Sequence, residues 1–142
     1  ERVSGSSLGC GMEYSIGHCP PPTEAPTLAP ATGQFTCGNS RKTPVQVTVS
    51  PANAADDLVL ELLDQDDSVI VYRDNFRNNR EKTINRCLNL RNDCYTVILT
   101  DSGCDGFNGD GFVSVVVGGV EEMRVSGRDL GCEMGFEFGE SC

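Results

Sequence analysis

A chain of 142 residues is long enough for one domain with a real core but not for two. Its formal net charge of −10 disfavours partners that select Lys/Arg clusters, so neither nucleic acid nor an anionic membrane surface is expected. No apolar run approaches the roughly 18 to 20 residues that cross a bilayer, and no signal peptide is recognisable, so the chain reads as mature, processed or cut from something longer. Eight cysteines occur without a single CxxC pair. That argues against a zinc ribbon or a thioredoxin-type site and for disulfides in an oxidising compartment, outside the cell.

Three parts are expected: residues 1–19, 20–33 and 34–142. The first, "ERVSGSSLGCGMEYSIGHC", matches the last stretch of the third, "MRVSGRDLGCEMGFEFGESC". Arg2-Val3-Ser4-Gly5 aligns with Arg124-Val125-Ser126-Gly127, and Leu8-Gly9-Cys10 with Leu130-Gly131-Cys132. Met12 then falls on Met134, Tyr14 on Phe136, Ile16 on Phe138, and Cys19 on Cys142 after one inserted residue. Self-similarity of this kind marks a repeat array. Residues 1–19 therefore read as the tail strands of a preceding unit, touching it through Val3, Leu8, Met12, Tyr14 and Ile16. Two routes are open: the array continues covalently, or the tail is a donor strand for a neighbouring copy. Both give a head-to-tail polymer of the chain with itself.

Residues 20–33, "PPPTEAPTLAPATG", can neither nucleate a helix nor join a ladder and are expected near polyproline II. At about 3.1 Å per residue they would span roughly 43 Å, a semi-rigid spacer. Thr23, Thr27 and Thr32 beside prolines are candidates for O-glycosylation. The alternative is a bare spacer. Every Asn fails the Asn-x-Ser/Thr test, so N-glycans are not expected.

The third part reads as all-β. Strands are expected at Val45–Val49, which alternates strictly, then at Asp57–Leu63 and Ser68–Arg73 around the acidic turn Asp64–Asp67. Lys82–Cys87, Cys94–Thr100, Gly111–Val117, Gly119–Val125 and Glu133–Gly139 follow, each bounded by Gly, Asn or Asp. About eight short strands with almost no helix fit an antiparallel β-sandwich, jelly-roll-like and disulfide-stapled. With Cys10 and Cys19 assigned to the preceding unit, six cysteines remain and allow fifteen connectivities. The expected set is Cys87–Cys94 across a short turn, Cys104–Cys132 and Cys37–Cys142.

The segment "TDSGCDGFNGDGF" puts Asp101, Asp105, Asn108 and Asp110 among four glycines. A hard cation such as Ca²⁺ takes six to eight oxygens on a chain that turns tightly. The same residues also suit a plain turn, since Asp, Asn and Gly tolerate unusual φ/ψ. Catalysis is not expected: the one histidine, His18, lies in the tail, and no phosphate or dinucleotide fingerprint occurs.

"CYTVILTDSGCDGFNGDGFVSVVVGG" resembles the repeated extracellular module of diatom and other heterokont algal surface and cell-wall proteins, with its CYTxxxxDSxGDG-like core. The upstream "LELLD" and the linker "PTEAPTLAP" resemble that module's strand and Pro-Thr spacers, so the likeness spans about residues 57–139 plus the linker. This chain departs from it at Gly103-Cys104 and in the extra "FNGDG". The resemblance implies a surface or cell-wall location. It also implies hydroxylation and glycosylation of Pro20, Pro21, Pro22, Pro26 and Pro30. The function expected is a structural protomer of an extracellular filament. The alternative is a Ca²⁺-dependent adhesive or carbohydrate-binding module.

Overall fold

The computed structural model describes residues 34–107 and 110–142. They belong to the second of two units into which the chain divides, Thr32–Cys142. The expectations for Val3, Leu8, Met12, Tyr14, Ile16, Cys10, Cys19, Asn108 and the linker residues 20–33 lie outside the described residues.

Eight strands form two four-stranded antiparallel sheets. The first sheet holds β1 (Thr43–Ser50), β4 (Lys82–Leu88), β6 (Phe112–Val117) and β7 (Val120–Ser126), in the order β4-β1-β6-β7. The second holds β2 (Leu58–Leu63), β3 (Val69–Arg73), β5 (Tyr95–Asp101) and β8 (Glu133–Phe138), in the order β3-β2-β5-β8. Each strand expected from the sequence forms within a residue or two of its expected ends. The described residues hold one helical turn, the 3₁₀ segment Gly127–Asp129 between β7 and β8.

Alternation sets which side chains meet. Val45, Val47 and Val49 of β1 face Leu58, Leu60 and Leu62 of β2, with Val97 and Leu99 of β5 and Val113 and Val115 of β6, all 1% exposed or less. A one-residue slip in any of these strands would turn its whole apolar set to water, so register is strongly specified. Two tight hairpins keep neighbours within a sheet. In the β2–β3 turn, Asp64 Oδ1 accepts from the Asp66 and Ser68 N–H groups, which makes the acidic run a self-satisfied tip. The β6–β7 turn is Gly118-Gly119, with φ of +59° and +88°, the left-handed pair that matches strand twist in a two-residue hairpin.

Disulfide pairing follows from register. Cys104 is bonded to Cys132, as paired from the sequence. The other two expected bridges are corrected. Cys87 bonds Cys37, and Cys94 bonds Cys142. Cys87 lies one residue from the end of β4 in the first sheet, whereas Cys94 precedes β5 in the second, so the short turn between them crosses the sandwich. β5 and β8 pair from Tyr95–Phe138 to Thr100–Glu133. That register sets Cys94 beside Cys142 past one end and Cys104 near Cys132 past the other. All six cysteines of the described unit are thereby paired with each other, leaving none for Cys10 or Cys19.

Candidate functional site

The Asp/Gly segment after β5 folds back on the end of the sandwich. Asp101, the last residue of β5, is fully buried (0% exposed). Its Oδ1 accepts from the Gly103 and Cys104 N–H groups at 3.0 and 3.1 Å, and its Oδ2 from the Gly106 N–H at 2.6 Å. The carboxylate is the internal template of the turn. Leu58 pairs with Asp101 across the β2–β5 ladder, so Asp57 arrives beside the same turn and its carbonyl accepts from the Ser102 N–H at 3.2 Å.

Asp57, Asp101 and Asp105 consequently form a cluster whose ligand atoms lie within 4.8 Å of one another. They converge on Gly103: a Cβ there would collide with Asp57 Oδ2 and lie 3.2 Å from Asp105 Oδ1 and 3.4 Å from Asp101 Oδ1. Asp57 Oδ1 is buried and meets no hydrogen-bond partner among the described residues. Oxygen donors of this hardness suit Ca²⁺ chemically, although one oxygen from each of the three carboxylates gives at most half of the six to eight it takes.

The structure regroups the expected ligand set. Asp101 and Asp105 come together, but Asp110 does not join them; it lines a separate shallow depression with Phe112, Arg124, Ser126 and Arg128. Phe107 is the reason. It is fully buried (0% exposed), and its N–H donates to the Gly127 carbonyl at 3.0 Å. The ring fits because Gly111 and Gly127 carry no side chain: a Cβ on Gly111 would lie 2.6 Å from Phe107 Cβ, and one on Gly127 would overlap the ring. The chain thus dives into the core between Asp105 and Asp110 and separates them. These two glycines make room for an aromatic plug.

Asp57 was missed in the sequence because it lies 44 residues before Asp101 and beside no glycine run. A signal existed: "DLVLELL" and "YTVILTD" are both alternating runs with Asp at one end, and antiparallel pairing brings those two ends together.

A second set of contacts concerns the repeated ending, residues 124–142. It supplies the last three residues of β7 and all of β8, each an edge strand of its sheet. Leu130 and Phe138 enter the core at 3% and 7% exposure, with Met134 and Phe136 packed against it. Phe138 stacks on Tyr95, ring centroids 5.9 Å apart, and the Tyr95 hydroxyl donates to Asp93 Oδ2 at 3.1 Å. Burial and this acceptor raise the Tyr95 pKa above the ordinary tyrosine value. Cys132 and Cys142 fasten the stretch to Cys104 and Cys94.

Fold and bridges define a disulfide-stapled antiparallel β-sandwich, and three disulfides in so small a β domain fit an extracellular setting. No helix among the described residues is long and apolar enough to cross a membrane. No family model, curated protein or solved structure matches the chain.

Proposed function

We propose that this chain is a structural protomer of an extracellular filament, with units joined head to tail by residues 1–19 and a stiff, O-glycosylated linker over residues 20–33. One observation carries the reading. Residues 2–19 repeat a stretch that, in residues 34–142, is held in place by contacts to upstream elements: β5, β6, Phe107, Cys94 and Cys104. A stretch of that kind, whose strands pair with β6 and β5 and not with each other, has no core of its own and is marginal in water. Its use is to close a sandwich, and the sandwich of residues 34–142 is already closed by its own copy. Because that copy is held by two disulfides, a neighbouring unit of the same sequence offers no vacant slot to a donor strand. Covalent continuity with a preceding unit is the route the bridges favour.

Electron microscopy of native material should show beads at regular spacing along a filament, and a population of single beads would overturn the reading. Disulfide mapping of the same material should link Cys10 and Cys19 to peptides outside residues 34–142. Finding them bridged to each other, or into that unit, would sink it equally. Intact mass should carry hexose or pentose increments on linker peptides.

A second reading, a Ca²⁺-dependent adhesive or carbohydrate-binding module, is favoured by the buried, unpartnered Asp57 Oδ1 beside Asp101 and Asp105. It expects a thermal midpoint that rises with Ca²⁺ and returns to its metal-free value in chelator, with Asp105→Ala abolishing the response. A midpoint indifferent to Ca²⁺ removes this reading.

A further inference from the structure

We infer that the cleft between the turn before β1 and the β4–β5 connection binds an acidic polysaccharide, one whose carboxylates are spaced by neutral sugars. The cleft has a volume of about 710 Å³, within the range of small-ligand sites. Arg41 and Lys42 line it from one side and Arg91 from the other, and Glu140 is the one acidic residue in the lining. Its charge is the reverse of the chain's. The sequence holds 21 acidic and 11 basic residues, whereas the cleft gathers three basic residues against one acidic.

Both sides are fixed before any ligand arrives. Asn39 closes the first turn: its Oδ1 accepts from the Arg41 N–H at 2.9 Å and its carbonyl from the Lys42 N–H at 3.1 Å. Cys37, two residues before Asn39, is bonded to Cys87, two residues before Asn89, so one disulfide ties the roots of the two sides together. The Cys94–Cys142 bridge holds the far end of the β4–β5 connection to the segment that carries Glu140. There the Glu140 N–H donates to the Leu90 carbonyl at 2.8 Å. A cleft cross-linked in this way has little freedom left to lose, and preorganisation lowers the cost of association.

The lining selects the ligand class. A guanidinium fork meets a carboxylate through two parallel N–H donors, and Arg41 and Arg91 supply one fork from each side. Neither they nor Lys42 forms an ion pair among the described residues, where the one salt bridge is Arg124–Glu121. Asn89 and Asn92 stand beside these cations, and an amide presents donor and acceptor together, as a sugar's hydroxyls require. Glu140 accepts from hydroxyls too, and it repels a chain with a charge on every unit. No aromatic ring lines the cleft, so it lacks the stacking platform of a single-stranded nucleic-acid site. Leu90 is the one apolar side chain, too little to anchor an acidic peptide. The cationic stretch is bounded, because Lys42 and Asn89 also line a neighbouring depression that holds Asp64, Asp66 and Asp93 beside Arg86. The cleft shares no residue with the Asp57, Asp101 and Asp105 cluster and is complete within one unit, so it depends neither on Ca²⁺ nor on how units join. Net charge of −10 opposes a polyanion at long range, so binding rests on these local contacts.

Calorimetric titration of the 142-residue chain with fragments of hyaluronate and of partly methyl-esterified polygalacturonate, both with carboxylates spaced by neutral sugars, should show binding of at least one in the presence of chelator. Neutral dextran should not bind, and polyglutamate should bind at least about tenfold more weakly. Arg41→Glu and Arg91→Glu, at exposed loop positions, should keep the thermal midpoint and each weaken binding at least about tenfold. Arg77→Glu makes the same charge change outside the cleft and should weaken it less than about twofold. No binding of either polysaccharide, binding of polyglutamate as tight, or indifference to Arg41→Glu and Arg91→Glu would overturn the proposal. An equal loss in Arg77→Glu would overturn it by showing attraction to bulk charge alone. Binding that vanishes in chelator would overturn it as well, and would assign the carbohydrate to the Asp57 cluster.

Discussion

β3 and β8 flank the same two central strands of the second sheet, and they are built on opposite principles. β8 is tied to β5 by a bridge past each end, stacks Phe138 on Tyr95, and lines its outer face with Glu133 and Glu137. β3 has one neighbour, no bridge, and three exposed apolar side chains. The strand that belongs to the repeated ending is thus bridged to its sheet, and β3 is held without a bridge. An edge bridged past both ends is fixed to its own sheet, and an edge without a bridge is held by its ladder and its packing.

Substitutions break this contrast in order of expected size. Phe107→Ala should cost about 3–5 kcal/mol, because it empties a buried aromatic site that two glycines prevent from refilling. Equilibrium denaturation under oxidising conditions measures it, and a loss below about 1 kcal/mol would mean the plug is dispensable. Replacing Cys94 and Cys142 together by Ser should cost about 2–4 kcal/mol. Hydrogen exchange should quicken in β8 and leave β2 unchanged; equal quickening in both would show that the bridge acts globally. Asp101→Ala strands three N–H groups at the turn that carries Cys104 and should cost about 2 kcal/mol.

Two smaller effects sharpen the comparison. Burial and Asp93 keep the Tyr95 phenol protonated above its ordinary range, so the unfolded chain loses that proton first as pH climbs past about 10. Stability should therefore fall with pH above that point and be insensitive to this group below it. Tyr95→Phe should flatten the alkaline limb of a thermal-midpoint profile, and an unchanged limb would remove the assignment. Ile70→Lys on β3 should lower monomer stability by about 1 kcal/mol or less, since its side chain is partly exposed beside Leu88 and Tyr95; a loss of several kcal/mol would mean that it packs as core.

Much of the fold is legible from single stretches of chain. Val45-Gln46-Val47-Thr48-Val49 can bury one face only as a strand, and Gly118-Gly119 between two apolar runs can hardly be other than a hairpin. The bridges were less legible. Closeness in sequence pointed Cys87 to Cys94, and the crossover between sheets carries them apart. Phe107 reads as a loop residue among Asp, Asn and Gly, and is core. Its burial also explains why Asp110 leaves the carboxylate group that Asp57 enters.

The sequence alone determined the strands, the turns, the paired endings and the even set of six cysteines, because alternation, glycine spacing and self-similarity are carried by neighbouring residues. Only the tertiary structure decided which cysteines bond, which carboxylates meet and which edges carry a bridge. Those outcomes depend on register between strands tens of residues apart, and no local pattern records where a strand finds its partner.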